Sequence, residues 1–206
     1  MELKSLGNTN LRIPEIGLGT WKYQGGVEPL RQGIELGASL IDTAEVYGTE
    51  DVVGEAVAGI RDKVFIATKV SGDHLHYDDV LRAVETSLRQ LRMDYIDLYQ
   101  IHWPNERIPI KETMHAMETL VDAGRIKSIG VSNFSARELR EAQRAMSKCP
   151  IVSNQVLYNL NRRDIEQELL SSCQEHHITV IAYTPLDDGR LAAVSRTRQS
   201  RRMQGS

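Results

Sequence analysis

Cysteine is scarce in this chain. Only Cys149 and Cys173 occur, too few for a disulfide framework, so the core must hold the fold and both are expected as reduced thiols. No run of about 18 apolar residues exists, which excludes a membrane-spanning helix and argues against a membrane partner. The opening MELKSLGNTN has no apolar signal-peptide core, so a cytoplasmic location is expected. Strong charge of one sign is missing too. A formal net charge of -3 argues against nucleic acid as the main partner. The glycine-rich G-x-G-x-x-G turn of open dinucleotide-binding sheets is also lacking, because Gly17-Leu18-Gly19-Thr20 is too short and opens no helix.

What remains is ordinary globular composition. The 206 residues are 41% hydrophobic and 26% charged, enough for one domain with a real core and incompatible with global disorder. Charge is unevenly spread. No acidic residue follows Asp188, whereas Arg190, Arg196, Arg198, Arg201 and Arg202 do. Removing those five arginines from the net -3 leaves -8 on residues 1–189. We therefore divide the chain into a body, 1–189, and an Arg-rich tail, 190–206, expected to be disordered.

Within the body, short apolar runs alternate with helical stripes. LKSLGNTNLRIPEIG carries a Gly-Asn turn signal between two short runs and predicts an N-terminal hairpin. Seven strand-like runs follow, around Ile16–Leu18, Ser39–Ile41, Val64–Ala67, Ile96–Ile101, Lys127–Val131, Ile151–Val152 and Ile178–Ala182. Four helical stripes lie between them. Val80, Leu81, Val84, Leu88 and Leu91 share one face; Met114, Met117, Leu120 and Val121 share another, with Gly124 as the stop. Ser135 and Glu138 form a capping-box pattern ahead of Leu139, Ala142 and Met146; Ile165, Leu169 and Leu170 mark the last stripe. This alternation predicts an α/β fold with a parallel sheet and outer helices, of about seven strand-helix units.

An open sheet and a barrel differ in where chemistry collects. In a barrel it gathers at the C-terminal ends of several strands. Here one strand ends in Asp42, the next in Lys69 and the next in His102, and parallel strands deliver all three to one rim. Taken singly, Asp42 suits a turn cap, Lys69 a solvated rim, His102 a satisfied strand-end histidine and Tyr47 a loop tyrosine. Together they are groups of complementary chemistry. His74 and His76, close to Asp73, Asp78 and Asp79, suit a solvated loop and helix cap better than a metal site.

At this point the sequence resembles the aldo-keto reductase family. The likeness rests on IDTAEVYG (Ile41 to Gly48), VFIATKV around Lys69, YIDLYQIHWP (Tyr95 to Pro104), GRIKSIGVSNF (Gly124 to Phe134) and AYTPL (Ala182 to Leu186). These five motifs are collinear and cover the chain up to about Leu186. The resemblance implies a TIM-type (β/α)8 barrel, NADP-dependent and metal-free, with the cofactor at the C-terminal rim. It implies a catalytic set of Asp42, Tyr47, Lys69 and His102 for reduction of aldehyde or ketone carbonyls to alcohols. Tyr47 would be the proton donor, Lys69 would stabilise its phenolate, Asp42 would hold Lys69, and His102 would orient the carbonyl oxygen. Hydride would come from the cofactor.

The resemblance also implies cofactor contacts. Ser132, Asn133 and Gln155 would meet the nicotinamide carboxamide, and Tyr183 would stack on its ring. Thr184, Pro185 and Leu186 would begin the pyrophosphate loop, and Gly19, Thr20 and Trp21 would form the first rim loop. Asp42 would also lie against the cofactor. Trp21 and Trp103, with Tyr47 and His102, would line the mouth for a small carbonyl or alcohol substrate. NADPH is the implied cofactor, with NADH an alternative, and the oligomeric state is left open.

The family pattern normally continues with a further helix, an eighth strand and a cationic segment for the adenosine phosphate. Residues 187–206 show no eighth-strand pattern, so the barrel is expected to be incomplete at its C-terminus, as in a truncated product or a reading-frame change. Weaker NADPH binding is the expected consequence. Two alternatives to an active reductase stay open: a non-catalytic cofactor-binding or regulatory relative, and an inactive truncated form.

Overall fold

The computed structural model describes residues 1–192. Of the expected tail, Arg190 to Ala192 form the start of a helical turn, and the rest lies outside the described residues. The chain opens with an antiparallel pair, β1 (Leu3–Ser5) and β2 (Arg12–Pro14), in the register Lys4 to Ile13. Seven parallel strands follow: β3 (Gly17–Gly19), β4 (Leu40–Asp42), β5 (Phe65–Val70), β6 (Ile96–Ile101), β7 (Ile126–Ser132), β8 (Ile151–Leu157) and β9 (Thr179–Tyr183). They hydrogen-bond in strict sequence order from β3 to β9. The expected hairpin and the seven expected strands are thus all present, with ends shifted by a few residues.

Six α-helices connect the parallel strands. They are α1 (Val27–Glu35), α2 (Glu50–Ala56), α3 (Tyr77–Leu91), α4 (Ile110–Asp122), α5 (Ala136–Ala145) and α6 (Leu169–Glu175). Helix α3 buries Val80, Val84, Leu88 and Leu91, whereas Leu81 of the same stripe is only half-buried. Helix α4 ends where Gly124 takes a φ of 68°, letting Gly124 N donate to Val121 O and Arg125 N to Leu120 O. Helix α5 starts on a formed capping box: Glu138 N donates to Ser135 Oγ, and Ser135 N donates to the Glu138 carboxylate.

The sheet is curled. β4 and β8 are four steps apart, roughly 19 Å on a flat sheet. Yet Gln155 Nε2 of β8 donates to Asp42 Oδ2 of β4 across 2.7 Å. Closure around an interior explains this. Inside, Leu40, Phe65, Ala67, Leu98 and Val152 pack on Leu6 and Ile13 of the N-terminal segment. Outside, Ile41, Ile66, Tyr99, Ile101 and Val131 pack on the helices. Burial of each large aliphatic side chain contributes about 1.5–3 kcal/mol.

The N-terminal segment therefore lies against the inner face, at the opposite end from the rim residues. Gly7 makes this fit possible. Its φ is 55°, and a Cβ there would sit 2.8 Å from Val152 O. Gly7 N donates to Thr179 Oγ1 at 2.7 Å, which ties the segment to β9. β3 and β9, the two edges, are not paired with each other among the described residues, consistent with an incomplete barrel. No helix among the described residues is long and apolar enough to cross a membrane.

Candidate active site

Parallel direction sends the last residue of every strand to one rim. Asp42 ends β4, Lys69 is the penultimate residue of β5, and His102 follows β6 directly. Ser132 ends β7, with Asn133 next in the chain, and Tyr183 ends β9. Tyr47 arrives differently. It closes a single 3-10 turn, Glu45–Tyr47, whose exit needs Gly48 at a φ of 65°.

The four residues are brought together. Lys69 is fully buried, and its Nζ donates to Asp42 Oδ1 at 2.6 Å and to Thr43 O at 2.9 Å. The same Nζ lies 5.1 Å from the centroid of the Tyr47 ring. Tyr47 Oη is 3.3 Å from His102 Nε2, with the two rings edge to face at 5.4 Å. Asp42 Oδ2 accepts from Gln155 Nε2 at 2.7 Å and Gln100 Nε2 at 3.4 Å. Both carboxylate oxygens are therefore engaged, and the ammonium has a defined place beside the phenol ring.

Burial dominates the titration of the upper pair. It pushes the Tyr47 phenol above its ordinary value, and the negative charge of Asp42 adds to this. Burial, and then the Lys69 cation, pull His102 down to about 4, against a smaller opposing pull from Asp42. At neutral pH the site thus presents a protonated phenol and an uncharged imidazole. That combination can give a proton to an oxygen and donate a second hydrogen bond to it.

The second group of rim residues is cross-linked. Tyr183 Oη donates to Asn133 Oδ1 at 3.0 Å. Asn133 Nδ2 donates to His102 O at 3.0 Å, and Ser132 Oγ donates to Gln155 O at 2.9 Å. Asn133 and Thr184 both have positive φ, 63° and 53°. For β-branched Thr184 this is a strained backbone, of order 1–3 kcal/mol, located where β9 leaves the sheet. Pro185 and Leu186 follow it and are exposed.

Gly19 and Trp21 are exposed on the first rim loop, with the Trp21 ring 5.0 Å from that of Tyr47. Trp21 is 62% and Trp103 52% exposed, so both side chains are open to solvent. Thr20, between Gly19 and Trp21, is fully buried, and its hydroxyl is committed to Asp42 O and Thr49 Oγ1. His74 and His76 lie on the surface, bonded to Glu45 and Glu112. Among the described residues no three His, Cys, Asp or Glu side chains are grouped to hold a metal.

Sequence reasoning overlooked several participants. Gln100 precedes His102 by two residues, so strand parity alone puts both on the inner face. Thr43 supplies a carbonyl to Lys69, a main-chain role no side-chain pattern reveals. Glu45 reaches from the Tyr47 turn to Ser71 N, beyond the Lys69 strand.

Comparison with known proteins bears on the family and the fold. The family model described as Aldo/keto reductase family matches residues 15–205, and so extends past Leu186 into the segment set apart as a tail. Methylglyoxal reductase YeaE of Escherichia coli is 43% identical over 194 residues, covering 88% of this chain and 68% of that protein. Aldo-keto reductase YhdN of Bacillus subtilis is 38% identical, covering 93% and 64%. The chain thus spans about two thirds of the length of these relatives. Among solved structures, the thermostable aldo-keto reductase Tm1743 superposes with a TM-score of 0.88 at 45% identity, covering 92% of this chain and 74% of that one. An aldo-keto reductase from Klebsiella pneumoniae, solved with NADPH, gives 0.83 at 42%, covering 92% and 70%. Sequence, strand order and rim geometry together place this chain in the aldo/keto reductase family.

Proposed function

We propose that the protein reduces aldehyde or ketone carbonyls to alcohols with NADPH, Tyr47 being the proton donor. One observation carries the reading most. A fully buried lysine is held by a carboxylate and placed 5.1 Å from the ring of a phenol that is itself in contact with a neutral histidine. A packing role does not call for a buried cation beside a protonated phenol, since burying it costs several kcal/mol.

The residues suit a nicotinamide cofactor by their donor set. Asn133 is bonded to the Tyr183 hydroxyl and Ser132 to the Gln155 main chain, so hydroxyl and amide groups stand on the same rim as an aromatic ring, a set that suits an amide-bearing aromatic ring. When bound, the cofactor supplies hydride to the carbonyl carbon. The chain supplies the rest. Tyr47 gives its proton to the carbonyl oxygen. Lys69 lowers the cost of the resulting phenolate, and Asp42 keeps Lys69 in position against recoil. His102, neutral above about pH 4, donates a hydrogen bond that orients the oxygen. Trp21 and Trp103 provide an apolar wall suited to a small substrate.

The relatives include a methylglyoxal reductase and a glyoxal reductase. A short 2-oxoaldehyde is therefore the first substrate to assay, beside a simple aromatic aldehyde. The test follows NADPH oxidation by absorbance. Tyr47→Phe should lower kcat by about 10²- to 10⁴-fold, the usual contribution of a positioned general acid. Full activity in that variant would reject the assignment. Tight NADPH retention with no turnover in the unaltered protein would favour the binding-subunit alternative.

A further inference from the structure

Three threonine hydroxyls lie behind the site and form a chain. Thr20 and Thr43 are fully buried and Thr49 is 6% exposed. Thr43 Oγ1 is 3.0 Å from Thr49 Oγ1, which is 2.9 Å from Thr20 Oγ1. Thr20 Oγ1 in turn donates to Asp42 O at 3.2 Å. A hydroxyl has one proton to give. Because Thr20 spends its proton on the Asp42 carbonyl, Thr49 must donate to Thr20, and Thr43 to Thr49. The chain therefore runs one way and ends on the main chain of the residue that grips Lys69.

Its placement is what matters. Thr43 and Thr49 flank the loop whose turn carries Tyr47, so their bond closes that loop at its base. Thr43 O is also the second acceptor of Lys69 Nζ. Immediately after Thr49, buried Glu50 accepts from Thr68 Oγ1 at 2.6 Å, and Thr68 precedes Lys69. Among the described residues Thr49 is thus the hydroxyl that joins both loop ends to the first rim loop, behind the turn that carries Tyr47.

We propose that Thr49 is a positioning residue for the proton donor: its hydroxyl, bridging Thr43 and Thr20, fixes the Tyr47 loop relative to Lys69. The proposal rests on the carbonyl-reductase reading for its kinetic consequence, and on the hydrogen-bond geometry alone for its structural one. Valine replaces the hydroxyl by a methyl of similar size, so Thr49→Val keeps the volume and cuts the chain. Serine keeps the hydroxyl and removes the methyl.

Two measurements on the full chain test it. Amide hydrogen exchange followed by mass spectrometry should show peptides covering 43–49 exchanging about tenfold faster in Thr49→Val, with β6 and β8 unchanged and Thr49→Ser close to the original protein. In the NADPH assay, Thr49→Val should lose about 10- to 100-fold in kcat, the scale of an ångström-level misplacement, with KM for NADPH within about threefold. Thr49→Ser should recover most of it. Unchanged exchange in Thr49→Val overturns the clamp whatever the activity. Faster exchange with kcat intact overturns its role in positioning. Equal impairment of Thr49→Ser assigns the effect to the methyl and also overturns the proposal. If the original protein has no turnover but the exchange pattern appears, the clamp stands and the reductase reading fails. Should Thr49→Val not fold, Thr43→Val removes the loop-base bond itself and is read by the same exchange and kinetic outcomes, with Thr43→Ser as its control.

Discussion

Replacing Lys69 by methionine tests the electrostatic centre of the site. The ammonium makes two bonds, to Asp42 Oδ1 and to Thr43 O, and none of its side chain is exposed. Removing one member of a buried pair costs about 3–5 kcal/mol, because the partner charge is left uncompensated. Two features reduce that figure here. Asp42 keeps its bonds from Gln155 and Gln100, and its side chain is 19% exposed. Methionine also fills the space of the lysine stem and buries no charge. We therefore expect Lys69→Met to lose about 2–3 kcal/mol. Asp42→Asn should cost a similar amount, since it leaves a fully buried ammonium with a weaker acceptor. The double variant carries no unpaired charge, so it should be more stable than the sum of the two, by about 2 kcal/mol. Urea unfolding of the four proteins, with midpoints and slopes compared, reads this cycle directly. Additive losses, or a Lys69→Met change below about 0.5 kcal/mol, would show that the pair is not coupled as described.

Other predictions concern the frame around the site. Burial works against ionisation of Glu118, yet bonds from Ser147 Oγ and the amides of Lys148, Cys149 and Ser147 bring it down to about 2. Its folded value lies below the ordinary one, so its contribution is present above about pH 4.5 and is lost as pH falls through 2. Unfolding measured across that window should show up to about 3 kcal/mol of acid-dependent loss, and Glu118→Gln should remove that share of the slope. Gly7→Ala places a Cβ against Val152 O at a positive φ, and should lower stability by at least about 1 kcal/mol in thermal unfolding. Because His102 is held near 4, kcat/KM for carbonyl reduction should be level from pH 8 down to about 5 and fall only below that; an acid limb near 6.5 that vanishes in His102→Gln would contradict the burial described.

Much of this protein is legible in one dimension. Strand order, the seven parallel units and the common rim of Asp42, Lys69 and His102 follow from apolar runs and from parity, because a β-strand alternates faces every residue and parallel strands share a direction. The Ser135 capping box and the Gly124 stop are local and were readable for that reason. Helices α1 and α2 are not among the stripes the sequence predicts. α1 contains Pro29 and Gly33, and α2 has seven residues with Gly54 in the middle. Gly54 is there because Leu91 O of α3 packs where a Cβ would stand, a contact 37 positions away in the chain.

What the tertiary structure alone decided is which polar groups meet. Curling of the sheet brings Gln155 onto Asp42 past three intervening strands, and that closure bonds the second oxygen of the carboxylate that anchors Lys69. Nothing in the sequence links Thr20, Thr43 and Thr49; folding removes them from water and leaves one another and the Asp42 carbonyl as their partners. The physical reason is general. Apolar burial is non-directional and leaves a periodic trace along the chain, whereas a hydrogen bond needs two particular atoms within about 3 Å, and their separation is set only when distant segments pack.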